Sequence, residues 1–206
     1  MTVTLALVFI TSMISISGFN HPDIIRKLSH YPARENANRE YYRWITAGFV
    51  HADVFHLFIN MFVLYFFGEF IETQFKEIHG ETAGSIVFAA FYFLIIILAN
   101  LPSYIKNKND LYYHSIGASG ATSGIVFSYI LFRPLSMLEL YFFIPIPAIL
   151  FGVLYLWYSH WASNKRLDNI DHDAHFYGAV AGFLFTAFMK KELILDFFNQ
   201  LSSILQ

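Results

Sequence analysis

The feature that most constrains this chain is the recurrence of long stretches without a charged side chain. No Asp, Glu, Lys or Arg occurs before Asp23, and Thr2 to Phe19 is an unbroken candidate span. A helix needs ~20 mostly apolar residues to cross the hydrocarbon core of a bilayer. Further runs follow at Val54–Gly68, Thr82–Ile105, Leu111–Phe132, Leu140–Asn164 and Ala174–Met189. Between them, Asn20–Asp53 forms a long polar segment, Glu69–Glu81 a charged connection, and Lys106–Asp110 and Lys165–Asp173 short polar loops. Only helices and closed barrels satisfy their backbone in lipid, and these runs are too long for barrel strands. The predicted fold is an all-α, polytopic membrane protein of six transmembrane helices in one bundle, residues 1–190. Residues 191–206 form an amphipathic or loose tail, because Leu193–Gln206 is too short and mixed to cross.

Composition supports the same class. Charged residues make up 14% of the 206, against about 25% in soluble domains, so charge this sparse cannot cover a soluble surface. The formal net charge of −2 excludes a strongly basic nucleic-acid binder, and without cysteine there is neither a disulfide nor a thiolate metal site. The sequence implies no metal and no cofactor. A signal peptide's basic start is missing, so the first run is expected to be retained.

Parity locates the chemistry. With six spans, the second, fourth and sixth begin on one side of the membrane. Near those starts sit His51, His56 and Asn60, then His114, Ser115, Ser119 and Ser123, then His172 and His175. Intramembrane polar groups are costly and face the bundle interior or water, so these form a polar chamber open to one side.

Within it, Gly117-Ala118-Ser119-Gly120-Ala121-Thr122-Ser123-Gly124 places two serines one turn apart among three glycines. Small residues in membrane helices are commonly packing devices, and that reading suits Ser123. For Ser119 the sixth run offers more, because His175, Gly178 and Gly182 share one face. Glycine faces let two helix backbones close up. Serine and histidine are short, so a nucleophile–base hydrogen bond of ~2.6–3.2 Å needs such an approach. Gly117, Gly120, Gly124, Gly178 and Gly182 are accordingly read as helix-packing glycines. His56 and Asn60, four apart, share a face of the second helix. They are either a buried polar pair or donors aimed at developing negative charge.

Gly117-Ala118-Ser119-Gly120, His56-Leu57-Phe58-Ile59-Asn60 and Ala174-His175-Phe176-Tyr177-Gly178 resemble the GxSG, HxxxN and AHxxG motifs of rhomboid intramembrane serine proteases, in the family's order. The resemblance extends from Arg43-Trp44 to Gly182. It implies a catalytic dyad, with Ser119 attacking the scissile carbonyl and His175 serving as general base and then acid. It also implies an oxyanion hole from His56, Asn60 and the Ser119 backbone N–H. The implied partners are transmembrane protein substrates, cut within or beside their spans, and membrane lipid; nucleic acid is not among them. The implied location is a bacterial cell (inner) membrane with the active site on its extracytoplasmic side. That orientation leaves Arg26, Lys27, Arg34, Arg39, Arg43, Lys106, Lys108, Lys165 and Arg166 outside and only Lys76, Arg133, Lys190 and Lys191 inside, against the positive-inside tendency.

Four details bear on the resemblance. The family's first loop lies partly in the membrane, which matches the aromatic-rich Tyr41–Val50. Pro145 and Pro147 are expected to kink the fifth helix, the family's proposed lateral gate. Several members stack an aromatic, one turn after the serine, on the histidine, and here that position is Ser123. Asp171 and Asp173 are expected to cap the sixth helix, with a third triad member as the alternative role. The competing functions are a rhomboid-like pseudoprotease that binds or dislocates membrane proteins without cleavage, and a proton channel or transporter lined by His56, Asn60 and His175.

Overall fold

The computed structural model describes residues 1–140, 144–163, 165, 168 and 170–205. Helix α1 (Val3–Asn20) opens on Thr2, whose hydroxyl accepts from Leu5 N. Short helices α2 (Pro22–Leu28) and α3 (Pro32–Asn38) each begin with proline, a residue suited to a first turn that needs no N–H donor. Helix α4 (Arg43–Thr46) runs into a 3-10 turn, Ala47–Phe49. Helices α5 (Val54–His79) and α6 (Glu81–Asn107) follow, then α7 (Ser119–Phe132), strands β1 (Met137–Leu140) and β2 (Ile144–Pro147), and helices α8 (Ala148–Ser163), α9 (His172–Met189) and α10 (Glu192–Ser202).

The chain is an all-α membrane protein that carries, among the described residues, one small antiparallel strand pair, registered from Met137 opposite Pro147 to Leu140 opposite Ile144. Among the described residues, α1, α5 and α6 are long and apolar enough to cross a membrane, and α7 is apolar but 14 residues long. Large apolar side chains stand exposed along the outer helices, including Phe9, Met13, Phe58, Ile86, Val153, Leu184 and Phe188.

Helix α7 is the axis of the bundle. Every residue from Gly120 to Leu131 except Tyr129 is buried; a helix apolar all round belongs inside. On one side it joins a core of Leu64, Ile71, Phe75, Phe88, Phe91 and Ile95 from α5 and α6. On the other, Phe127, Ile130 and Leu131 pack with Ala179, Leu193 and Phe197, so α10 lies against the bundle by its buried face.

Several boundaries depart from the counted runs. Glu69–Glu81 is not a loop: α5 continues to His79 and only Gly80 separates it from α6. The acidic residues there are consumed at the start of α1. The Glu72 carboxylate accepts from Val3 N at 3.0 Å and from Thr4 N and Oγ1 at 2.8 Å, while Thr2 Oγ1 donates to Glu69. Carboxylates beside an open helix N-terminus satisfy its free N–H groups and its positive dipole end. Leu111–Ala118 is uncharged yet not helical; α7 starts only at Ser119, after Gly117 at φ 119°. Pro145 and Pro147 lie in β2, ahead of α8 rather than inside it, so they bend no helix. The fifth run also takes in 141–143 and Asn164, which lie outside the described residues.

Candidate active site

The α7–α9 seam is built from glycine. A Cβ on Gly178 would overlap the Gly120 carbonyl oxygen, and one on Gly182 would overlap the Gly124 backbone. At Gly124 an added Cβ would sit 2.9 Å from Gly178 O and 2.7 Å from Ile95 Cγ2, and at Gly120 it would sit 2.6 Å from the Ala99 Cβ of α6. The two helices therefore touch backbone to backbone over two successive turns. Deeper along the seam, Ser128 Oγ lies 2.9 Å from Gly124 O and 3.0 Å from Gly182 O, and accepts from Thr186 Oγ1 at 2.8 Å. Gly117 is the exception among the five glycines. It precedes α7 and faces the His56 ring, whose Nε2 would lie 2.9 Å from an added Cβ.

Ser119, the first residue of α7, and His175, in the first turn of α9, thus start abutting helices, and both are partly buried. Neither side chain makes a hydrogen bond among the described residues; catalytic hydrogen bonds are commonly long in a ligand-free site and tighten with substrate. The His175 ring instead stacks on Tyr155 of α8, with centroids 6.1 Å apart and planes 15° from parallel, and meets His172 edge-on at 5.9 Å.

His56 and Asn60 face the same place from α5. Asp53 caps that helix by accepting from His56 N at 2.8 Å. His56 Nδ1 accepts from Ala52 N at 3.4 Å, which puts the proton of the neutral ring on Nε2, the nitrogen beside Gly117. Asn60 Nδ2 donates to the His56 carbonyl at 2.9 Å, and Asn60 Oδ1 accepts from Thr122 Oγ1 at 3.3 Å. An amide nitrogen carries two N–H groups, so one remains beyond the bond to His56.

His51 has a positioning role that its grouping with the chamber residues did not specify. It is fully buried, and its Nε2 accepts from Ala118 N, the backbone N–H just before Ser119, at 3.2 Å. Its Nδ1 lies 2.9 Å from Ser15 Oγ, which donates to Phe49 O. Burial, reinforced by the neighbouring His56, pushes His51 down to about 3, so it stays neutral and able to accept. Asp171 clamps the α9 side of the same end of the seam. Its Oδ1 accepts from Ala174 N at 3.0 Å and Ser103 Oγ at 2.7 Å, and its Oδ2 from Ser115 Oγ at 3.0 Å. It is thus a helix cap and a loop tie, with no bond to the His175 ring. Asp173 pairs with Lys106 at 2.9 Å. A cavity of about 20 Å³, large enough for one water, lies between Asn100, Ser115, Ser119, Asp171 and Ala174.

His114 does not join the group: it is exposed, with Nδ1 3.2 Å from Tyr112 O. Ser123 lies a turn below Ser119 and bonds Tyr155.

The rhomboid domain family matches residues 38–192, which include every residue of the constellation from His51 to His175. The chain belongs to the rhomboid family. It is 30% identical over 156 residues to RHOMBOID-like protein 12, mitochondrial, of Arabidopsis thaliana, covering 71% of this chain and 46% of that protein. Rhomboid-like protein 11, chloroplastic, of the same plant is 29% identical over 166 residues, covering 73% and 53%. Rhomboid protease GlpG of Haemophilus influenzae is 29% identical over 106 residues, covering 52% and 47%. The chain spans about half the length of the curated relatives it matches. Two of these relatives are named for plant organelles, so the comparisons support a membrane protein and give no support to a bacterial inner membrane in particular.

Proposed function

We propose that this rhomboid is an intramembrane serine endopeptidase that cuts transmembrane protein substrates within or beside their spans. The observation that supports this reading is the glycine seam, which brings Gly120 and Gly124 of α7 against Gly178 and Gly182 of α9, the helices that begin with Ser119 and carry His175 in their first turn. In this reading α1, α5, α6, α7, α8 and α9 are the six spans. A 14-residue helix rises about 21 Å, against a hydrocarbon core of about 30 Å. With its far end at the opposite face, α7 begins some 10 Å below the near surface, and Leu111–Ala118 dips in to reach it.

Ser119 Oγ attacks the scissile carbonyl carbon as His175 takes the hydroxyl proton. The resulting oxyanion is stabilised by the free Asn60 N–H, by His56 Nε2–H and by the Ser119 backbone N–H, groups held in place before charge develops. Collapse breaks the C–N bond, and His175 passes its proton to the leaving amine. Water then attacks the acyl-enzyme with His175 again as base, restoring Ser119.

Labelling with a serine-directed fluorophosphonate tests the reading, with Ser119→Ala as control and a single-span model substrate run beside it. Label and cleavage on wild type alone are expected. Equal processing by both proteins would leave only the binding, pseudoprotease reading.

A further inference from the structure

The histidine of the site is braced from an unexpected direction. Ser123 offers no ring to His175, yet His175 has one against it, and that ring belongs to Tyr155 in the second turn of α8. The near-parallel planes and 6.1 Å centroid separation describe an offset stack, the arrangement aromatic pairs favour over a direct sandwich.

The phenol end of the same residue is also engaged. Tyr155 OH and Ser123 Oγ lie 2.5 Å apart, and Ser123 Oγ donates to Ser119 O at 2.7 Å. A serine hydroxyl has one proton to give, so with that proton on the Ser119 carbonyl, Tyr155 is the donor of the pair. The chain of bonds runs Tyr155 O–H to Ser123 Oγ, then Ser123 O–H to the Ser119 carbonyl. One side chain of α8 therefore touches the imidazole with its ring and reaches the nucleophile's own peptide through one hydroxyl. Ser123 is small enough to admit the Tyr155 phenol against α7, and polar enough to satisfy it there. Phe127 and Phe151 flank the Tyr155 ring at 5.8 and 5.6 Å and restrict its rotation.

We propose that Tyr155 is the positioning residue for His175, held in register by Ser123. This rests on the serine-protease reading above. Tyr155 takes no part in bond making; it restricts the imidazole to the orientation from which it can accept the Ser119 proton. Because the brace stands on α8 while both members of the dyad stand on α7 and α9, any displacement of α8 is felt at the imidazole.

The test compares Tyr155→Leu, Tyr155→Phe and Ser123→Ala with wild type and Ser119→Ala, measuring kcat and KM on a model transmembrane substrate together with the rate and final extent of fluorophosphonate labelling. Tyr155→Leu removes the ring and is expected to lower kcat and the labelling rate about 100-fold, the scale of an ångström-sized misplacement of a catalytic group. KM and the labelled fraction at completion should be unchanged. Tyr155→Phe keeps the ring and loses only the hydroxyl link, so most of the rate should return, to within about 10-fold of wild type, with Ser123→Ala matching it. Misfolding would instead lower the final labelled fraction, and that result from both Tyr155→Phe and Ser123→Ala would make the link structural and overturn the proposal. Tyr155→Leu at wild-type kcat, with Ser119→Ala inactive, would overturn the positioning role alone. Wild type indistinguishable from Ser119→Ala would remove the protease reading and this proposal with it.

Discussion

The two flanks of α7 are packed on opposite principles. Toward α9 the contact is glycine against glycine over two turns, with no side chain between the backbones. Toward α8 it is made by large rings and a single glycine: Gly152 sits near the flexible ends of Ile130 and Phe127, and Tyr155 threads in to Ser123. The outer face of α8, with Val153, Leu154, Trp157 and Trp161, is exposed to the surroundings. Backbone contacts have one register, because no rotamer can absorb an error. Side-chain contacts can be made again after a shift. The difference teaches that the chain fixes the distance between α7 and α9 absolutely, while the ring stacked on His175 comes from a neighbour that has room to adjust.

The largest expected effect lies in the seam. Gly178→Ala drives a Cβ into the Gly120 carbonyl, and only separation of the helices relieves it. A stability loss of about 2–4 kcal/mol and at least a 100-fold fall in fluorophosphonate labelling are expected; thermal unfolding in detergent beside labelling kinetics measures both. A near-normal Gly178→Ala would mean that the seam is no more exacting than the α8 side.

His51 tests the entry to the seam. His51→Gln disturbs the acceptor of Ala118 N–H and should cost about 1–3 kcal/mol at pH 7. It should also change the acid response. His51 is held down at about 3, against about 6.5 in the unfolded chain. Between those values the unfolded chain takes up a proton that the folded one refuses. Stability therefore falls with falling pH through that window, by up to about 1.4 kcal/mol per pH unit from this group. Unfolding free energies from pH 7 to 4 should be shallower in His51→Gln; equal slopes would assign the acid sensitivity elsewhere.

Asp171→Ala removes the α9 cap and the ties to Ser103 and Ser115, with an expected loss of about 1–2 kcal/mol. Thermal unfolding checks it, and a neutral result would show that the glycine contact alone holds the start of α9. The smallest effect is the counterpart of the first. At Gly152 an added Cβ meets Ile130 Cδ1 at 3.0 Å, a flexible side-chain end. Gly152→Ala should cost under about 1 kcal/mol and leave labelling within a few-fold of wild type. A loss as large as that of Gly178→Ala would erase the contrast.

Much of this was legible in the chain because it depends on spacing. The apolar runs located α1, α5 and α6, and the four-residue repeats of Gly120 with Gly124 and Gly178 with Gly182 lie where the two helices meet. Counting charges misled at Glu69 and Glu72, because carboxylates that cap another helix carry no local sign of their partner. It misled again at Leu111–Ala118, where an uncharged stretch is held extended by the left-handed Gly117 and by His30 pairing with Ser115 across the loops. Tyr155 was invisible for another reason. It is one aromatic among several in α8, and only the fold shows which of them turns inward to the imidazole.

The junction at Gly80 has a consequence for how the molecule is made. One residue joins α5 to α6, and Gly84 fits so closely against the backbone of Phe75 and Lys76 that a methyl group there would collide with it. The pair has no slack, and α6 is held folded back on α5 as a tight U-turn. Once α6 folds back, the ends bearing His56 and Asn100 are committed to the same face of the bilayer. In the protease reading, the side toward which Ser119 opens is thus set by a helix pair that precedes it in the chain.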